Sequence, residues 1–360
     1  MPYLLIFFLS LWPSFALADI FQAQTLKIPM VESGTQGLET LLVLPKLSGK
    51  YPLVMMSHGS SVNPANRAEM TTNSLLPMAT EFVRRGWAVA IVIRRGFGRT
   101  GGPWAETYGS CKNPNYIKAG LEAAKDLQAA LQYLKTLPQI DSQNILAVGV
   151  SAGGFASLAL AAQKPAGLQA VISFAGGRGS IRDNEVCGEQ AEIEAFVYFG
   201  KTVQIPTLWI YAQNDHYFNP TLSQKFYQAF TQAGGRADLV RMPAFEEEGH
   251  FLFSVDGIPL WIPKVTQFLD QAHLSPPGPI IDLPPPILLP MPKTLSTKGK
   301  QAFTHYLRSP LHKAFALSQE GDYGYSTGRY TAAEAEDKAL EFCEAESRDC
   351  ELYARDNALI

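Results

Sequence analysis

Gly149-Val150-Ser151-Ala152-Gly153-Gly154 follows a run of strand formers, Asn144 to Val148, and opens a stretch of small residues from Phe155 to Ala162. This spacing predicts a strand, a sharp turn carrying a serine, and a helix. A serine on such a turn projects its hydroxyl above the sheet edge, where the Ala152 N–H can hold a negative oxygen. Side chains at 149 and 153 would collide as the chain doubles back, which is why glycine occupies both. A chain of this length meets G-x-S-x-G by chance about one time in ten, so the rest of the apparatus has to be found.

A serine nucleophile needs a base and an acid that orients the base, and on an open α/β sheet these follow it in the order Ser, Asp/Glu, His. The apolar run Thr207 to Ala212 ends in Gln213-Asn214-Asp215, and the strand-like Ala237 to Met242 leads through Pro243 to Glu248-Gly249-His250. Both groups fall just past the C-terminal ends of strands, on the edge where ligands of such sheets gather. The expected triad is Ser151, Asp215 and His250. His216 adjoins Asp215 and points away from it, His58 ends an upstream strand as a structural histidine, and His273, His305 and His312 lie elsewhere. A second oxyanion donor is expected after Tyr51 to Met56, in Ser57-His58-Gly59-Ser60-Ser61, where glycine lets the backbone swing toward the nucleophile. The Ser60 N–H is the first choice and the Ser61 N–H the second.

These residues, together with Arg94-Arg95-Gly96-Phe97-Gly98-Arg99-Thr100-Gly101-Gly102, resemble the α/β-hydrolase superfamily, and within it the dienelactone-hydrolase and prolyl-oligopeptidase-like branch. The resemblance covers Leu26 to His273. One departure is the nucleophile, a cysteine in true dienelactone hydrolases and Ser151 here; the extra glycine, Gly154, is common in peptidase-like and acyl-esterase members. The resemblance implies hydrolysis of an ester or amide through an acyl-enzyme, with neither metal nor organic cofactor.

The positioning elements agree. Strand-like segments at 22–31 and 38–44 form a leading antiparallel pair. Helices are expected at 73–85, 117–136, 152–162, 222–233 and 258–271, with further strands at 87–93 and 168–174. Strands alternating with helices of this length imply an α/β fold, a mostly parallel sheet covered on both faces. Tyr3 to Ala18 is an apolar run ending Ala16-Leu17-Ala18, which reads as an export signal cleaved after Ala18, although no Lys or Arg opens it. No later segment is apolar enough to span a bilayer. The catalytic domain is then 19–274. Ser275 to Pro292, rich in proline, reads as a stiff spacer, and 293–360 as a small independent α+β module. In that module 298–319 is expected helical, 321–330 turn-like, and Thr331 caps a helix reaching Ser347. Its expected role is to bind an unidentified partner or to stabilise the protein.

Across 360 residues with a net charge of −3, nothing favours nucleic acid or an anionic membrane as partner. The expected substrate is a small ester. Trp104, Tyr108 and Phe251 are candidates for an apolar acyl wall, and Arg99, with Arg94 and Arg95, for meeting a carboxylate; the arginines have an equally good structural reading. Glu246-Glu247-Glu248 reads as a solvated charge run, or else as a grip on a peptide's amino terminus. Three functions stay open. They are an exported carboxylesterase, a secreted peptidase of the prolyl-oligopeptidase-like group, and a non-catalytic binder on the same scaffold.

Export also bears on the four cysteines, since an oxidising compartment lets them pair. Four allow three connectivities, and the proline-rich stretch divides them two and two. Cys343 and Cys350 flank the end of the last helix, while Cys111 and Cys187 lie in long loops on the catalytic edge. The expected bonds are Cys111–Cys187 and Cys343–Cys350.

Overall fold

The structure is a computed structural model that describes residues 21–46, 49–285 and 288–360; the expected leader ending at Ala18 lies outside them. Strands β1 (Phe21–Met30) and β2 (Gly34–Pro45) pair antiparallel. There follow β3 (Tyr51–Ser57), β4 (Ala88–Val92), β5 (Ile140–Val150), β6 (Leu168–Phe174), a small hairpin of β7 (Ser180–Arg182) and β8 (Glu185–Val186), then β9 (Thr207–Ala212) and β10 (Ala237–Met242). The large sheet has the order β1-β2-β4-β3-β5-β6-β9-β10. From β4 to β10 every neighbouring pair is parallel, and β2 joins β4 antiparallel. Strand β4, Ala-Val-Ala-Ile-Val, is buried along its whole length. A parallel sheet covered on both faces demands such continuous apolar runs.

Helices α1 (Pro64–Ala68), α2 (Leu76–Val83), α3 (Tyr116–Leu134), α4 (Ala152–Ala162), α5 (Glu189–Gly200), α6 (Pro220–Gln232) and α7 (Ile258–Gln271) complete the larger body. One face of the sheet is covered by α3 to α6, through side chains such as Leu131, Phe155, Phe199 and Phe226. The other is covered by α2 and α7, through Phe82, Trp261 and Phe268. Helix α5 is absent from the expectations drawn from sequence. Its inward stripe, with Ala195, Phe196 and Phe199, is interrupted by the fully buried Glu192, which breaks the apolar period.

The expected helix over 298–319 is instead α8 (Thr297–Arg308) followed by a strand, β11 (Ala314–Leu317). Pro310 sits between them, and the residue before a proline is pushed out of helical conformation. The expected turn over 321–330 contains β12 (Tyr323–Ser326). Helix α9 (Ala332–Glu344) starts at Thr331, whose hydroxyl accepts the Glu334 N–H at 3.1 Å. Strands β13 (Glu351–Arg355) and β14 (Ala358–Leu359) complete an antiparallel sheet of order β12-β11-β13-β14. Alternation along β11 sends Phe315 into a cluster with Phe303 and Tyr306 of α8, and Ala314 and Ala316 into one with Ala335 and Ala339 of α9. The module is thus α+β, with one helix on each face of its sheet.

The proline-rich stretch and the C-terminal module both make contacts with the larger body. Ile281 donates its N–H to the Arg84 carbonyl at 2.8 Å, and Arg84 Nε returns a bond to the Ile281 carbonyl at 2.9 Å. Ile281 and Leu283 pack on the core beneath α2 and α7. Ile281 and Leu283 thus hold the first part of the stretch to the larger body, while Leu289 packs in the C-terminal module and the Tyr353 hydroxyl donates to the Pro290 carbonyl at 2.8 Å. The module then docks back through Asp256, which meets His305 at 2.5 Å and Arg308 at 2.7 Å.

Both expected disulfides are present, Cys111–Cys187 with Cα atoms 4.9 Å apart and Cys343–Cys350 with Cα atoms 6.0 Å apart. Two such bonds fit an oxidising compartment. Among the described residues, no helix is long and apolar enough to cross a membrane.

Candidate active site

Ser151 stands between β5 and α4 with φ 54° and ψ −125°. A non-glycine residue held there costs on the order of 1–3 kcal/mol, so its surroundings must enforce it. Its N–H donates to the Phe174 carbonyl at 2.8 Å, and its carbonyl accepts the N–H groups of Phe155 (3.1 Å) and Gly177 (3.3 Å). The flanking glycines are required by contact. A Cβ at Gly149 would lie 2.2 Å from the Gly153 carbonyl oxygen, and one at Gly153 would lie 2.1 Å from that of Ser57.

Asp215 follows β9 and His250 lies in a short turn after β10, so both reach the sheet edge that carries Ser151. Asp215 is 1% exposed and His250 6%. Asp215 Oδ1 accepts the N–H groups of Tyr217 and Phe218, each at 2.8 Å. The same carboxylate stands 3.1 and 3.3 Å from His250 Nδ1. A carboxylate only accepts, so this geometry puts the imidazole proton on Nδ1 and leaves Nε2 as the basic nitrogen. Glu248 fixes the turn from behind, taking the His250 N–H at 2.9 Å and the His216 N–H at 3.0 Å on Oε1, with His216 Nδ1 at 2.9 Å from Oε2. Of the three glutamates, only Glu246 and Glu247 are the exposed charges expected.

The loop after β3 abuts Ser151, since a Cβ on Gly59 would stand 3.5 Å from Ser151 Cβ. Ala152 is the first residue of α4, where a backbone N–H has no acceptor within the helix. The Ser60 side of the loop is held by Arg94, which is fully buried. Arg94 donates to Ser57 Oγ (2.7 Å) and to the carbonyls of His58 (2.8 Å) and Gly59 (3.3 Å). Its remaining donors meet Glu106 at 2.8 and 3.1 Å. Arg178 sits 3.4 Å from the same carboxylate, and its backbone N–H donates to Glu192 at 2.5 Å. Burial alone would raise the Glu106 carboxyl, but Arg94 and Arg178 outweigh it and hold it at about 2. His58 accepts the Arg94 N–H on Nε2 at 3.1 Å, so its Nδ1 donates to the Gly59 carbonyl at 2.6 Å. Burial, with Arg94 beside it, keeps that imidazole neutral, down to about 3.

Of the expected substrate contacts, Phe251 lies beside His250. Phe251 is 56% exposed, its ring centroid 5.9 Å from that of His250. Tyr217, which the sequence does not single out, stacks on His250. Trp104 lies under the Arg67 guanidinium at 4.1 Å, and Tyr108 stacks on Tyr116 at 4.9 Å. Arg99 covers the Tyr330 ring and meets Glu334 at 3.4 Å, at the seam with the C-terminal module. Arg95 pairs with Asp126 at 2.6 Å and Glu122 at 3.0 Å. Among the described residues, no group of three or more His, Cys, Asp or Glu side chains is placed to hold a metal ion.

A family model described as X-Pro dipeptidyl-peptidase (S15 family) matches residues 34–191, which include Ser151 and stop short of Asp215 and His250. No curated protein matches the sequence. Among solved structures, the chain is similar to one described as a dipeptidyl aminopeptidase IV from Bacteroides ovatus, with 20% identity and a TM-score of 0.53 over 70% of this chain and 35% of that one. It is similar to an acylaminoacyl peptidase from Pyrococcus horikoshii, with 18% identity and a TM-score of 0.51 over 73% of this chain and 43% of that one. It is also similar to an esterase from Pyrococcus furiosus, with 14% identity and a TM-score of 0.51 over 72% of this chain and 96% of that one. The chain therefore spans less than half the length of either peptidase and nearly all of the esterase. At such identities the likeness is one of fold, and function has to be argued from the site.

Proposed function

We propose that this chain, which has the α/β-hydrolase fold shared by dienelactone-hydrolase and prolyl-oligopeptidase-like enzymes, is an exported serine hydrolase that cleaves carboxylic esters. The observation that carries the reading is the backbone of Ser151, forced to φ 54° between strand and helix on the edge that also bears the His250–Asp215 pair. Ser151 Oγ attacks the ester carbonyl while His250 Nε2 takes its proton. Asp215 keeps the imidazole oriented and supports its charge. The N–H groups of Ala152 and Ser60 receive the oxyanion, where loss of one donor costs about 3 kcal/mol. Collapse expels the alcohol, protonated by His250, and water then releases the acid by the same steps.

The ester is favoured because the exposed rings beside His250, Tyr217 and Phe251, suit an apolar alcohol, and because Glu248 is already engaged by backbone and His216. That engagement takes Glu248 out of the charge run that could grip a peptide's amino terminus. Cleavage of peptides is the second reading, favoured by the family-model match over 34–191. A fluorophosphonate probe should label Ser151 in wild type and fail in Ser151→Ala. A p-nitrophenyl butyrate and a glycyl-prolyl p-nitroanilide, compared by kcat/KM, then decide the bond. Export is supported by the leader-like run and the two disulfides, and predicts a mature protein that starts at Asp19.

A further inference from the structure

Segment 61–75 continues directly from the loop that carries Ser60, and it is gripped on two sides. On the inner side Arg67, 9% exposed, donates to the carbonyls of Ser61 (3.1 Å) and Val62 (2.8 Å) and lies over Trp104. On the outer side is the C-terminal module. Asn73 Nδ2 donates to the Arg329 carbonyl at 2.9 Å, and Thr71 Oγ1 donates to that of Gly328. Glu69 meets Arg329 at 2.8 Å and Lys338 at 3.4 Å.

Tyr330 enters this seam. Its hydroxyl lies 2.9 Å from the Met70 carbonyl oxygen and 2.8 Å from Glu39 Oε2, while its ring faces Arg99 at 3.7 Å. Glu39 Oε2 also takes the Arg99 N–H at 3.2 Å, and the Gly98 N–H donates to the Arg67 carbonyl at 2.8 Å. Gly98 has φ 50°, and a Cβ there would stand 2.4 Å from the Met70 oxygen and 2.6 Å from the Tyr330 hydroxyl. Tyr330 therefore joins segment 61–75 to loop 94–102. The first reaches Ser60 through Arg67, Ser61 and Val62; the second begins at Arg94, which holds Ser57, His58 and Gly59.

We infer that the C-terminal module is a brace for the oxyanion loop, with Tyr330 a positioning residue that keeps the Ser60 N–H aimed at the developing oxyanion. The inference rests on the hydrolase reading above. A donor of this kind acts only where it is held before the charge develops. Because the oxyanion exists only in the transition state, loosening the brace should lower kcat and leave KM alone. A module that merely anchors the chain would instead lower the melting temperature without that split.

The test uses the full chain as wild type, Tyr330→Phe, Tyr330→Ala and Asp256→Ala, the last cutting the module's tie to His305 and Arg308 away from the Ser60 loop. With p-nitrophenyl butyrate, kcat should fall about ten-fold in Tyr330→Ala and less in Tyr330→Phe, with KM within about two-fold. Asp256→Ala should keep its kcat. A kcat in folded Tyr330→Ala within about two-fold of wild type, or a rise in KM alone, would overturn the brace. If Tyr330→Ala does not fold, the same split in Tyr330→Phe decides. If wild type neither turns over the ester nor takes a fluorophosphonate, the hydrolase reading has failed separately. Hydrogen exchange then judges the brace: faster exchange of amides 60–75 in Tyr330→Phe supports it, and unchanged exchange overturns it.

Discussion

The ring of Tyr217 lies flat against the imidazole of His250, with centroids 4.2 Å apart and planes 17° from parallel. The backbone N–H of the same residue donates to Asp215 at 2.8 Å. One residue thus steadies both the proposed base and its acid. An aromatic pair of this kind contributes about 0.5–1.5 kcal/mol beyond its burial, so Tyr217→Ala should lower kcat by up to about ten-fold. Tyr217→Phe keeps the ring and should stay close to wild type. Equal losses in both variants would show that the hydroxyl, and not the stack, matters.

Asp215→Asn tests the orientation of His250. The amide can still accept the Tyr217 and Phe218 N–H groups through its oxygen, but it turns an N–H toward Nδ1 and favours the wrong tautomer. The expected fall in kcat is on the order of 10⁴-fold with the fold intact, checked by steady-state kinetics beside circular dichroism. A loss of only a few-fold would assign the acid elsewhere.

Acid stability should follow Glu106 and His58. The unfolded chain protonates Glu106 near 4.5, whereas the fold holds it at about 2. Its contribution, roughly 3 kcal/mol, is therefore complete above pH 4.5 and lost as pH falls from 4.5 toward 2. His58 acts in the same direction from higher pH, protonating near 6.5 when unfolded and at about 3 when folded. Urea unfolding of wild type should weaken from pH 6.5 downward. Glu106→Gln should be less stable at pH 7.5, because Arg94 and Arg178 lose their partner, and should show a shallower decline below 4.5 only. An unchanged limb below 4.5 would remove Glu106 from the account.

The two disulfides should differ in weight. Closing a sequence separation of 76 residues stabilises by about 4.5 kcal/mol on the loop-entropy model, and a separation of 7 by about 2.5 kcal/mol. Cys111→Ser should thus lower the melting temperature more than Cys343→Ser. Non-reducing peptide mapping should join 111 to 187 and 343 to 350, and a cross-linked 187–343 peptide would refute the arrangement.

What the sequence determined by itself is local or ordered along the chain. The Ser151 turn is legible because glycine spacing and a strand before a small-residue helix are constraints between near neighbours. The Thr331 cap is legible for the same reason, and the cysteine pairs because the proline-rich stretch separates them. Asp215 and His250 are nameable from their places after strands, but only the fold brings their side chains to 3.1 Å. Tertiary structure alone decided the partners of the charges. Arg99 meets Tyr330 and Glu334 across more than two hundred residues, Trp104 lies under Arg67, and Glu192 hides inside a helix whose apolar period it breaks. Periodicity registers what lies three or four residues away on one element. A buried ion pair or a docked module depends on which elements the sheet order sets side by side, and no local pattern in the chain encodes that.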